Sequence, residues 1–118
     1  MKNKTVLFKS DKIGEGELGS IVANSFIYAM TQISNKDILP KKIVFLNRGV
    51  LLSTQNDKIQ NKDTIIYLKT LESLGVEILS CQTCLEHFGL KDKVLVGRIG
   101  NGLEVMEDFL TNEGVISL

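Results

Sequence analysis

The stretch EILSCQTCLEHFGLKDK, residues 77–93, holds both cysteines of the chain, Cys81 and Cys84, and its only histidine, His87. Thiols in a Cys-x-x-Cys spacing can exchange a disulfide, pass a sulfur atom between partners or contribute ligands to a metal. The apolar run Val76–Leu79 reads as a strand and Leu85–Phe88 as a short helix, so Cys81 falls where a strand ends and a helix begins. Unpaired backbone N–H groups at a helix start favour a thiolate over a thiol. The same donors could hold the outer sulfur of a persulfide, or its selenium analogue, and Thr83 lies among them. Cys84, one turn along, is placed to attack an intermediate formed on Cys81. Cys81 is therefore expected to be the more reactive thiol, with Cys84 further inside the first turn and covered by the third strand and the loop around Val50.

Two plainer readings stand beside this one. The cysteines could be small buried hydrophobes at a strand end, and His87 could be a surface helix residue rather than a proton donor or acceptor near the thiols. A zinc site is not expected, because Cys81, Cys84 and His87 supply at most three ligands and no second Cys or His pair completes a tetrahedron. No metal and no cofactor is assigned.

The elements that must position the thiols follow from hydrophobic spacing. Thr5–Phe8 is a short β-type run. Leu18, Ile21, Val22, Phe26, Ala29, Met30 and Ile33 recur at spacings of three and four, as on one helix face. Ile43–Leu46 is a buried strand, apolar without alternation. Residues 47–63 read as a long polar connection, and Thr64–Leu74 as a helix ended by Gly75. A strand near Leu95–Ile99, a helix from about Gly102 to Thr111 and a strand at Val115–Leu118 complete the pattern, with Asn101 and Glu104 able to cap the last helix reciprocally. Alternation of this kind predicts an α/β fold: a three-layer α/β/α sandwich on a mainly parallel five-stranded sheet, in a single domain spanning 1–118.

In open α/β sheets, reactive groups gather where loops converge at the carboxyl ends of strands. Three loops qualify: Lys9–Gly16, with Asp11, Gly14 and Gly16; Asn47–Leu52, with Asn47, Gly49 and Val50; and Ser80–Thr83, beside His87. Lys9, Lys12, Arg48 and Arg98 could make the crevice electropositive. Gly14, Gly16 and Gly19 match the spacing of a dinucleotide-binding turn, but Asn47 stands where that motif needs an acidic residue. The glycines are instead expected to let their loop pass close to the cysteine loop.

With formal net charge zero and 24% charged residues, the chain is not built to attract nucleic acid through overall charge. Its N-terminal apolar stretch, Val6–Phe8, is too short for a signal peptide or membrane span. A cytoplasmic location without membrane association is expected, where thiols stay reduced and a structural disulfide is disfavoured.

Taken together, SDKIGEGELG, KKIVFLNRGV, LKTLESLGVEILSCQTCLEHFGLKDKVLVG and the ending GVISL resemble the C-terminal domain of the selenium-metabolism YedF family, within the wider DsrE/DsrF-like group of sulfur-relay proteins. In that group the reactive cysteine precedes by eight residues a glycine that ends a short helix, and Cys81 stands so to Gly89. The resemblance implies that Cys81 is the carrier thiol, with Cys84 a feature of the YedF-like branch. It implies a homo-oligomer that takes sulfane sulfur or selenium from a donor protein and gives it to an acceptor, a SirA/TusA-like protein among the candidates. The SirA/TusA-like domain that usually precedes this one in YedF proteins is absent from these 118 residues, and the loop GEGELG is shorter than the family's. A non-catalytic oligomeric interaction module with structural cysteines is the alternative.

Overall fold

A computed structural model describes residues 1–118. Its strands are β1 (Lys2–Phe8), β2 (Pro40–Phe45), β3 (Glu77–Cys81), β4 (Arg98–Gly100) and β5 (Val115–Ser117), and its α-helices are α1 (Gly16–Thr31), α2 (Lys62–Ser73), α3 (Gln82–Phe88) and α4 (Gly102–Thr111). All neighbouring strands pair in parallel, in the order β4-β3-β2-β1-β5. The expected α/β sandwich with a parallel five-stranded sheet is what the chain forms.

The order dictates where the helices go. From β1 to β2 to β3 the chain steps one way across the sheet, and from β4 it returns past three strands to β5. Right-handed crossovers place helices on opposite faces when the direction of travel reverses. Ile27 of α1, Ile65, Leu68 and Leu71 of α2, and Leu85 of α3 accordingly pack with Val6, Phe8, Ile43, Phe45 and Ile78 in the main core. Val105 of α4 meets Leu7, Val44 and Leu79 on the other face. Both faces are covered, but unequally.

Several local expectations are corrected. On α1 the buried residues are Gly19, Ala23 and Ile27, while Leu18, Ile21 and Phe26 are 69%, 54% and 50% exposed. The helix has two apolar stripes, and the small-residue one lies against the protein because it allows close approach to α2 and the sheet. The segment assigned as polar connection begins with a 3-10 helix, Asn47–Leu52, whose Gly49, Val50, Leu51 and Leu52 are buried. Turn-forming Asn and Gly beside an apolar triplet resembled a loop because a 3-10 turn carries no long periodicity. Helix α3 starts at Gln82, directly after Cys81, and β4 starts at Arg98 rather than Leu95.

Strand register then sets the site. Phe8 pairs with Phe45 and Phe45 with Ser80, so the carboxyl ends of β1, β2 and β3 are level. The 3-10 helix is pressed against β1: a Cβ at Gly49 would lie 2.3 Å from the Phe8 carbonyl oxygen. Gly49→Ala must therefore push this turn off β1, and the expected destabilisation is at least about 2 kcal/mol. Urea unfolding checks it; a change within about 0.5 kcal/mol, the scale of an ordinary surface substitution, would show that the turn is free to move.

Candidate functional site

Cys81 ends β3 and is the N-cap of α3, with extended dihedrals of φ −61° and ψ 123°. Its Sγ accepts the N–H of Cys84 at 3.3 Å. Gly89 closes the helix in the left-handed region at φ 68°, its N–H returning to the Glu86 carbonyl, so the short helix has a defined start and stop. Both cysteines are half-buried and both are free thiols.

Cys84 has a second anchor, from the neighbouring loop. The Asn47 N–H donates to Cys84 Sγ at 3.0 Å. Asn47 is in the left-handed region at φ 52°, a conformation asparagine tolerates better than most side chains. Its Oδ1 accepts the Arg48 N–H at 2.8 Å, which locks the turn. Arg48 Nε in turn donates to Asp11 Oδ1 at 3.0 Å, and Ser10 Oγ donates to the same oxygen at 3.3 Å. One chain of contacts thus runs from Asp11 through Arg48 and Asn47 to Cys84 and Cys81, crossing all three strand-end loops.

Burial is the largest influence on Cys84. It disfavours the thiolate, and the hydrogen bond shared with Cys81 adds to it; the Asn47 N–H opposes both without overcoming them. The Cys84 thiol is pushed up to about 11. It is protonated at neutral pH and can donate to Cys81, whose capping N–H comes from the helix itself.

The other expected residues divide. Val50 is buried, and its carbonyl accepts Thr54 Oγ1 at 2.8 Å and Ser53 Oγ at 3.2 Å. Gly49 packs on Phe8 and supports the turn without reaching either thiol. Gly14 and Gly16 are exposed with nothing within 4 Å of a Cβ built on them; the close approach is between Gly19 in the first turn of α1 and Gly14 of the loop before it, 2.9 Å from a Cβ built on Gly19. The glycines therefore shape the entry to α1, and Asp11 is the residue that ties this loop to the thiols. Thr83 is exposed, and His87 is exposed in the last turn of α3 with its ring against Phe88 at 5.0 Å. Neither hydrogen-bonds a sulfur. Arg98 is bound to Glu77 and Glu104 instead of lining the crevice.

Sequence reasoning missed Ser53 and Ser80. Their hydroxyls meet at 2.6 Å in full burial and fasten the 3-10 turn to β3 beside Cys81. A serine inside the otherwise apolar run EILSC was the available signal, since a buried hydroxyl requires a partner.

The chain is thus a small α/β protein with an all-parallel five-stranded sheet and both thiols at the junction of β3 and α3. The chain belongs to the DsrE/DsrF-like family, associated with sulfur relay, whose model matches residues 14–117. The fold is similar to that in the crystal structure of the ychN protein from E. coli, with a TM-score of 0.72 and 16% identity over 100% of both chains. A search of curated proteins finds no match. No helix is long and apolar enough to cross a membrane, and no group of three or more His, Cys, Asp or Glu side chains is arranged to hold a metal ion.

The thiol asymmetry has a measurable sign. Alkylation proceeds through the thiolate, so Cys84 should label slowly at neutral pH and about tenfold faster for each pH unit up to about 11. Limiting iodoacetamide followed by peptide mapping should find Cys81 modified first at pH 7. Preferential labelling of Cys84 would reverse the assignment.

Proposed function

We propose that the protein is a sulfurtransferase-like carrier of sulfur or selenium metabolism, close to the YedF branch of its family, with Cys81 holding the cargo atom. The observation that carries this reading is the unequal treatment of two adjacent thiols. Cys81 accepts a helix-capping N–H, while the half-burial of Cys84 and its hydrogen bond with Cys81 keep it protonated against the opposing Asn47 N–H. In the loading step the Cys81 thiolate attacks the outer sulfur of a donor persulfide, forming Cys81–S–SH and releasing the donor thiolate. An acceptor thiolate then takes the same sulfur and regenerates the Cys81 thiolate. If Cys84 instead loses its proton and attacks Cys81 Sγ, a Cys81–Cys84 disulfide forms and hydrosulfide leaves; a dithiol reductant restores the pair. Selenium follows the same course as the selenium analogue of the persulfide.

Donor and acceptor are proteins or small persulfides, with a SirA/TusA-like protein a candidate partner. Intact-mass spectrometry after exposure to a persulfide donor should show one added sulfur atom in the native chain and in Cys84→Ser, where it should persist longer, and none in Cys81→Ser. Loading of Cys81→Ser at the native level would remove Cys81 from the role.

The reading includes homo-oligomeric assembly, supported by apolar side chains that the subunit leaves uncovered: Leu18, Ile21 and Phe26 on α1, and Leu103, Met106 and Leu110 on α4. Light scattering should give a multiple of the 13.1 kDa chain mass, reduced by the double substitution Leu18→Glu and Ile21→Glu. A monomer at micromolar concentration would sink it. An interaction module without thiol chemistry would keep both assembly and partner binding after complete alkylation, whereas the carrier would keep assembly and lose transfer.

A further inference from the structure

A second concavity lies beside the thiol site and contains neither sulfur. It is a cleft of about 620 Å³ between the β1–α1 loop, α1, and the segment 58–64 that leads into α2. That volume is within the range of roughly 300–1,000 Å³ usual for small-molecule sites. Its wall is polar, with two hydrophobic residues, Leu52 and Ile59, among thirteen.

The charges in it are unequally answered. Arg48 is paired with the buried Asp11, but Lys12, Lys58 and Lys62 have no carboxylate within 4.0 Å, and Asp63 is the single unpaired acid of the wall. Asn61, the N-cap of α2, does not cap that helix; its side-chain amide donates to the Leu51 and Thr54 carbonyls at 2.8 and 2.7 Å. The first N–H groups of α2 therefore have no side-chain cap at the edge of the same cleft. Asn24 Oδ1 accepts Thr64 Oγ1 at 2.7 Å, which turns its amide nitrogen into an uncommitted donor, and Gln60 adds a second free amide.

We infer that this cleft binds a small polyhydroxylated phosphate, a sugar phosphate in chemical class. Three unpaired ammonium groups from two sides of a concave wall recognise the dianion. Free amides and hydroxyls suit an alcohol-rich body, and the wall has no aromatic ring on which a nucleobase could stack. Neither cysteine lines the cleft, which meets the thiol site only through Asp11 and Arg48.

Titration of the full-length protein with ribose 5-phosphate, ribose, inorganic phosphate and AMP, followed by amide NMR, tests it. Ribose 5-phosphate should shift the amides of Lys12, Asn24, Lys58 and Lys62 and bind about tenfold or more tightly than ribose or phosphate alone. The double substitution Lys58→Gln and Lys62→Gln should weaken it about tenfold with an unchanged thermal midpoint. Cys81→Ser with Cys84→Ser should bind as the native chain does, so a failed sulfur-loading experiment leaves this result standing. Equal affinity for ribose, tighter binding of AMP, shifts centred on the thiols, or undiminished binding by the lysine variant would each overturn the assignment.

Discussion

The parallel register of β1, β2 and β3 is the constraint on which the site depends. Phe8, Phe45 and Ser80 lie side by side, so the residues that follow them leave the sheet at one level. A shift of one residue in any strand would turn its side chains to the opposite face and carry its loop out of line. Buried apolar side chains on both faces of the central strands resist that shift. Val6, Phe8, Ile43, Phe45 and Ile78 face the larger core, and Leu7, Val44 and Leu79 face the smaller.

On that level platform the thiols are distinguished by small, opposed effects. Both sulfurs are half-buried and both accept a backbone N–H, but burial is what pushes the Cys84 thiol up, and the hydrogen bond shared with Cys81 adds to it. Their backbone donors also differ in origin. The donor to Cys81 belongs to the helix it caps, whereas the donor to Cys84 belongs to Asn47, on another strand end, and depends on the whole 3-10 turn being in place. Gly49 against Phe8, and Ser53 against Ser80, hold that turn. The Asp11–Arg48 pair joins the first loop to it, with Asp11 nearly fully buried and its charge answered by a half-exposed guanidinium.

The far face is held by different means. Its apolar cluster has four buried members, and polar contacts supplement them. Asp108 of α4 accepts Thr5 Oγ1 at 2.5 Å and forms an ion pair with Lys42 at 3.1 Å, while Asn112 donates to Thr5 Oγ1 at 3.0 Å. At the other end of α4, Arg98 bonds both Glu77 and Glu104 and holds the Glu104 carboxyl below the usual range. Asn101 caps the helix by accepting the Glu104 N–H at 2.9 Å, the half of the expected reciprocal cap that forms; the Glu104 carboxylate is drawn to Arg98. A helix so fastened can leave Leu103, Met106 and Leu110 outward without detaching.

Local spacing alone determined the βα alternation, the parallel sheet and the position of Cys81 at a strand-to-helix junction, because strand and helix periods and short crossovers allow few other arrangements. It also located the three loops, since the carboxyl ends of parallel strands converge wherever the chain pairs them. It could not choose between the two apolar stripes of α1, as periodicity identifies a face and says nothing of which neighbour can approach it; Gly19 is buried because the chain at Lys12 and Gly14 folds back onto it. Nor could it foresee that residues 47–52 are core, that Asn47 reaches Cys84, or that Asp11 rather than Gly14 or Gly16 connects the first loop to the site. Those are contacts across 37 residues of sequence, made by backbone groups and paired charges whose partners are chosen by strand register and not by residue type.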